Sequence, residues 1–228
     1  MSIQFNPGLI IDGGVNIGPA PWKTYSYLFN GSTDYITASY VSGFAAGTDD
    51  FTVEGWVYLT STPTLNAGFA SINSDWQISW YDITGGFSFM PDGSVRRASI
   101  TGMATNTWYH MAFVKSSGSV YSYLNGTLQN SGATSVSYTS TNPIRIGVNR
   151  TPTDFFPGYI SDFRYTRTAL YTSNFTTPER PLVSVASTYV WTARDNQIID
   201  DSGSGTSLTV TGSVSISDFQ PTFPFPPR

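Results

Sequence analysis

The sequence predicts an all-β protein, a sandwich of antiparallel sheets, and three observations carry that reading. Residues 51–59 (FTVEGWVYL) alternate strictly, with Phe51, Val53, Gly55, Val57 and Leu59 on one face and Thr52, Glu54, Trp56 and Tyr58 on the other. That is the period of two that a strand imposes. Asn125-Gly126 joins two β-rich runs, and Asn-Gly is a strong hairpin signal because a type I′ turn needs positive φ at both central residues. No stretch keeps an apolar period of 3.6 over three turns, so no amphipathic helix is expected.

The hairpin organises the rest. Residues 108–115 (WYHMAFVK) are apolar on both faces, as a central strand covered above and below is. Residues 116–118 make a polar turn, 120–124 a second strand, and 127–130 run back after Asn125-Gly126. Residues 25–29 and 35–38 flank Asn30-Gly31 and read as an opening hairpin. Further strands are expected at 69–73, 76–81, 86–90 and 94–100, separated by Ser74-Asp75, Gly85-Gly86 and Pro91-Asp92-Gly93, all with turn chemistry. Residues 144–148, 158–166, 188–193 and 207–217 complete the set, and 168–171 read as one helical turn. Roughly fifteen short strands punctuated by turns make a sandwich spanning residues 25–220.

The two ends differ from that body. Residues 1–24 are broken by Gly8, Gly13, Gly14, Gly18, Pro19 and Pro21, yet carry Ile3, Phe5, Leu9, Ile10, Ile11 and Trp22. An arm this apolar is expected to dock, on its own sandwich or on an assembly partner, and those six residues are the candidate anchors. The tail, residues 221–228, is Pro-rich and favours extended polyproline conformation. It is either frayed or bound by a neighbour.

Composition narrows the function. A chain of 228 residues suits one large sandwich, which at this size buries roughly 70% of its unfolded surface without staples. There is no cysteine, so disulfides and thiolate metal sites are excluded. Charged residues are 11%, net charge is −4, and the lysines are Lys23 and Lys115; a nucleic-acid partner is not expected. No apolar run approaches the ~20 residues of a membrane helix, and MSIQFNPG has no secretory-signal pattern. Aromatics reach 15%, and a sheet surface so rich in rings favours covering by a second copy.

The chemistry follows from few residues. A retaining glycosidase needs two carboxyls ~5 Å apart, but the glutamates, Glu54 and Glu179, are far apart in sequence, and adjacent Asp49 and Asp50 point to opposite faces of a strand. His110 is the lone histidine. Cys-His chemistry is therefore impossible, and a mid-strand His reads as structural rather than as part of a Ser-His-Asp triad. No catalytic residue and no enzymatic activity is expected. Glu54 in a central strand needs a buried partner, for which Arg164 is the candidate, read on the face of Ile160 and Asp162. Loop residues Asp34, Asp154, Asp200 and Asp201 form no dense acidic loop and read as turn formers, so no metal or other cofactor is expected. Asp75, Trp76, Trp80, Tyr81, Asp82 and Arg96 form the candidate carbohydrate site. Rings stack on sugar C–H faces while carboxylates accept hydroxyls. The competing reading is that Trp76 and Trp80, four apart and so on one face, belong to the core or to a subunit interface.

Residues 51–57 (FTVEGWV), 108–112 (WYHMA), 123–126 (YLNG) and 158–164 (GYISDFR) resemble laminin-G-like domains of the concanavalin-A-like lectin/glucanase superfamily. Residues 168–182 (TALYTSNFTTPERPL), with DDSGSG at 200–205 and TVTG at 209–212, are similar to the form found in tailed-phage virion proteins, marine phages above all. The resemblance implies a jelly roll of two stacked, curved antiparallel sheets, with Glu54, Trp56, Trp108, His110, Asn125, Gly126 and Arg164 in structural roles. Sugars in this superfamily bind on the concave face or at a rim, where calcium often sits. It implies a non-catalytic virion protein, a capsid decoration protein whose partners are the major capsid protein or other virion proteins, with host or environmental glycans as possible ligands. A tail-fibre or tail-tip module, or a soluble lectin-like module, is the alternative. A glycoside hydrolase is disfavoured by the carboxylate count.

Overall fold

A computed structural model of the chain describes residues 10–11, 15–16, 24–73, 75–92, 95–178 and 181–221. In chain order its strands are β1 (Ile10–Ile11), β2 (Val15–Asn16), β3 (Ser26–Asn30), β4 (Tyr35–Ala38), β5 (Phe51–Leu59), β6 (Gly68–Ile72), β7 (Gln77–Tyr81), β8 (Gly86–Met90) and β9 (Ala98–Ser99). Then follow β10 (Trp108–Ser116), β11 (Ser119–Leu124), β12 (Thr127–Ala133), β13 (Ile144–Ile146), β14 (Pro157–Thr166), β15 (Thr188–Thr192), β16 (Leu208–Thr211) and β17 (Ser215–Ser217). One 3₁₀ turn, Ser42–Phe44, is the helical element among the described residues. An eight-stranded sheet runs β12-β11-β10-β5-β14-β3-β17, with β15 also on β14; a seven-stranded sheet runs β16-β4-β13-β6-β7-β8-β9. Every pairing is antiparallel. The chain is thus the all-β, two-sheet sandwich that the alternation predicts.

Between the sheets lies one core. Phe51, Val53, Val57 and Leu59 of β5 face it, as their alternation requires, with Phe69, Trp76, Phe87, Phe89, Phe113 and Tyr165. Trp76 stacks on Phe51, Phe89 and Tyr165 at ring separations of 6.1, 6.0 and 6.3 Å. Aromatic rings dominate here because each removes a large apolar area from water and packs edge or face against the next. The other face of the eight-stranded sheet is covered too. Ala169, Tyr171 and Phe175 pack over Ala112, Val114 and Tyr123, which is why β10 reads as apolar on both sides.

The Asn125-Gly126 turn forms as expected, at φ 47° and 77°, with β11 and β12 paired across it. Several expectations are corrected. Residues 25–38 are not a hairpin, since β3 joins the eight-stranded sheet and β4 the seven-stranded one. Asn30 Oδ1 accepts the N–H groups of Ser32 and Thr33 at 2.9 Å each, an Asx turn that makes a corner between sheets instead of returning the chain. Residues 207–217 likewise split at Gly212 (φ 82°) into β16 and β17, one on each sheet. Residues 168–171 are not helical. Of the stretch 94–100, Ser94 lies outside the described residues, and within 95–100 only Ala98–Ser99 is strand.

A bulge in β14 corrects the face assigned to Arg164. The register shifts between Ser161 and Arg164, with Asp162 at φ 54°. One residue drops out of the alternation, so Ile160, Phe163 and Tyr165 all face the core while Arg164 pairs opposite Glu54 on the outer face. Of the candidate anchors, Ile10 and Ile11 lie in β1, paired with Asn16 and Val15. Ile3, Phe5, Leu9 and Trp22 lie outside the described residues, as does tail segment 222–228.

Candidate functional site

Two clusters of charged side chains stand out, one buried and one open. The buried one centres on Glu54, on the outer face of β5 beneath residues 168–178. Its Oε1 accepts Arg164 Nε and Nη2 at 2.9 and 2.5 Å. Its Oε2 accepts the Tyr171 hydroxyl at 2.8 Å and lies 3.2 Å from His110 Nε2. Arg164 Nη1 reaches back to the Val183 carbonyl at 2.5 Å. Burial alone would push the Glu54 carboxyl up, but the His110 hydrogen bond and the Arg164 guanidinium outweigh it and hold the group below its ordinary value. Burial, with Glu54 beside it, pushes the Tyr171 phenol far up. The partner expected for Glu54 is therefore the one it has.

The remaining structural candidates frame this cluster. Trp56 meets the His110 ring edge-on at 5.4 Å. Asn125 Oδ1 accepts the His110 N–H, and the His110 carbonyl accepts the Asn125 N–H, both at 2.9 Å. Trp108 packs with Tyr58, Tyr159 and Phe219 at 5.5, 6.4 and 5.5 Å. Phe219 brings the end of the described chain onto that aromatic face.

The open cluster lies on the outer face of the seven-stranded sheet, at the far end of β7. The Arg96 guanidinium stacks over the Tyr81 ring, 4.0 Å from its centre, and Nη2 donates to Asn66 Oδ1 at 2.7 Å. Asp82, exposed on the following turn, raises the Arg96 pKa through space together with Tyr81, while partial burial of the guanidinium pulls it down and prevails. The backbone fixes each member. Asn66 sits at φ 69°, a conformation Asn tolerates, and its N–H bonds the Trp80 carbonyl at 3.1 Å. The turn bearing Asp82 closes with Gly85 N–H on the Tyr81 carbonyl at 3.0 Å. Arg96 precedes Arg97, whose N–H bonds Phe89 at 2.9 Å.

Of the six carbohydrate candidates, the structure therefore brings together Tyr81, Asp82 and Arg96. It corrects the other three. Trp76 is fully buried and Trp80 is 4% exposed, packed on Phe87 at 5.6 Å, so neither ring can meet a sugar. Asp75 is buried at the opposite end of β7, its carboxylate accepting Ser140 N–H at 3.2 Å. Asn66 is the member that sequence reasoning missed. Three of the four loop aspartates are engaged by neighbouring groups, Asp34 by Asn30 and Ser213, Asp154 by Asn149 and Thr153, Asp200 by Trp191 and Ser202, while Asp201 Oδ2 is buried with no hydrogen-bond partner among the described residues. No group of three or more His, Cys, Asp or Glu able to hold a metal occurs among the described residues.

Residues 30–174 match the Laminin_G_3 family model of the concanavalin A-like lectin/glucanases superfamily. The chain belongs to this superfamily. Its lectin-like fold recurs in a candidate carbohydrate-binding protein from Bacteroides ovatus, with a TM-score of 0.69, 17% identity, and coverage of 88% of this chain and 61% of that one. The chain thus spans about three-fifths of that protein. The heptameric SAP-like pentraxin of Limulus polyphemus gives 0.56, 16% identity, and coverage of 84% and 96%. Mouse laminin α1 domains LG4–5 give 0.50, 17% identity, and coverage of 68% and 47%. At such identities the likeness is one of fold. No curated protein matches the chain.

Proposed function

We propose that this chain is a non-catalytic, glycan-binding module whose contact surface is the Tyr81–Arg96–Asn66–Asp82 cluster. The observation that carries it is this cluster's geometry. An aromatic ring is held at the surface with a guanidinium fixed over one face, next to an amide and an exposed carboxylate, which is the mix of apolar body and convergent polar groups that sugars take. The superfamily and the Bacteroides ovatus neighbour favour the same class. Against hydrolysis, both Glu54 oxygens are committed to Arg164, Tyr171 and His110 beneath a covering segment, so Glu54 has no free oxygen to serve as acid or base. A glycan array with the purified chain tests the reading. Binding that Tyr81→Ala abolishes is expected; binding indifferent to that change, or none at all, overturns it.

The setting we propose is the surface of a phage virion, the chain acting as a capsid decoration protein attached to the major capsid protein. Residues 168–178 support it, because the phage-like motif supplies Tyr171 and Phe175, the rings that roof the Glu54 cluster. Copy number in purified particles decides. A decoration protein scales with shell subunits, a tail-tip module is present in a handful of copies, and a soluble lectin is absent.

A further inference from the structure

Among the described residues, Arg96 has no partner of opposite sign bonded to it. The ion pairs among the described residues join Glu54 to Arg164 and Asp49 to Arg167; Arg96 is in neither. Of its donors, Nη2 is spent on the neutral amide of Asn66, and Nε is buried without a hydrogen-bond partner among the described residues. A partly desolvated guanidinium in this state is costly, and since Nη1 makes no hydrogen bond among the described residues, an anion placed there would offset that cost without reaching the buried Nε. Tyr81 fixes the guanidinium plane, so the donors are oriented before the ligand arrives, and a planar fork favours oxyanions over single acceptors.

We propose that this surface selects anionic saccharides, sugars bearing a carboxylate or a sulfate ester, with the anion seated on Arg96. The inference rests on the reading of the cluster as a glycan site and names the ligand class. Asp82 gives the site a direction. Its exposed carboxylate repels the anionic group and accepts hydroxyls, so the ligand lies with its anion toward Arg96 and its hydroxyls toward Asp82. The net charge of −4 works against unspecific polyanion adsorption, so attraction has to be local.

The test pairs each acid with its neutral counterpart on the full chain: oligogalacturonate against its methyl ester, and dextran sulfate against dextran, by titration calorimetry. The first pair reports the carboxylate source, the second the sulfate. At least one acidic probe is expected to bind about tenfold or more tighter than its counterpart. Arg96→Gln should erase that preference, Arg96→Lys should restore part of it, and Arg97→Gln, one residue along and exposed, should leave it intact. Equal affinity for acid and neutral forms, or a preference that survives Arg96→Gln, overturns this inference and leaves the glycan reading standing. No binding to these probes or to any array glycan overturns both.

Discussion

The Asp162 carboxylate accepts the Trp191 indole N–H at 2.9 Å, from a β14 residue held at φ 54°. Its other oxygen accepts Leu182 N–H at 2.7 Å, and its own N–H bonds the Ala193 carbonyl at 2.8 Å. One side chain thus holds the bulge open, the covering segment down, and β15 in place. The bulge in turn aims Arg164 at Glu54. Asp162→Ala should orphan two buried donors at roughly 1–3 kcal/mol each, read as a fall in the urea midpoint. A loss below about 0.5 kcal/mol would show that the carboxylate does not hold this junction.

Removing the Glu54 charge should be worse. Glu54→Gln leaves the Arg164 guanidinium buried without its counter-ion, expected to cost roughly 3–5 kcal/mol. Replacing both, Glu54→Met with Arg164→Leu, should cost clearly less than the sum of the single changes, because no charge is then stranded. Additive losses would show that the two residues act separately, despite the 2.5 Å contact.

The same pair sets an acid limb. The Glu54 carboxyl lies lower in the folded state than its ordinary 4.5. The folded state therefore binds this proton less tightly than the unfolded chain does. The stabilisation is complete above about pH 4.5 and disappears as pH falls from there through the lower folded value. Asp75 and Asp201 are pushed up by burial and tilt stability the opposite way, so the clean quantity is the difference between wild type and Glu54→Gln. That gap should be flat near neutrality and narrow in acid. A gap independent of pH would remove the Glu54 linkage.

Alternation placed the strands, and the Asn125-Gly126 turn placed the central hairpin, because both are local signals. What joins to what was less legible. Asn30-Gly31 announces a turn, but nothing in the sequence says that Asn30 turns its side chain onto Ser32 and Thr33 and sends the chain to the other sheet. Arg164 was matched to Glu54 by the need to neutralise a buried carboxylate, although the strict period put Arg164 on the wrong face; the bulge at Asp162 supplies the missing shift. For Trp76 and Trp80 the shared face was legible and its direction was not, since both faces of β7 are buried, Ser79 no less than Ile78. Asn66 carried one usable signal, an Asn in a loop where φ turns positive.

Gly126 ties the central hairpin to the covering segment. A Cβ there would stand 1.9 Å from the Phe175 carbonyl oxygen, which belongs to the backbone and cannot rotate away, and Phe175 N–H bonds the Gly126 carbonyl at 2.9 Å. Gly126→Ala should lift residues 168–178 off the sheet, seen as faster amide exchange there and as protease cleavage within it. Gly102→Ala, at φ 67° with open space around it, carries the conformational cost alone, about 1–2 kcal/mol, and should leave that segment protected. Equal exchange in the two variants would show that the contact does not hold the segment.

Trp76 and Tyr81 separate packing from recognition, because they sit on one strand-and-loop unit but serve opposite surroundings. Trp76 fills the core against Phe51, Phe89 and Tyr165. Trp76→Ala should therefore cost roughly 3–5 kcal/mol and yet leave glycan affinity per folded molecule unchanged. Tyr81 is partly exposed, and its ring lies under Arg96. Tyr81→Ala should cost less than about 1 kcal/mol in stability, since little buried area is lost and Arg96 can return to water, yet it should remove binding. Denaturation curves and calorimetric titrations on the same preparations give both quantities. If Trp76→Ala weakened binding in folded protein while Tyr81→Ala spared it, the recognition surface would have to lie elsewhere on the sandwich.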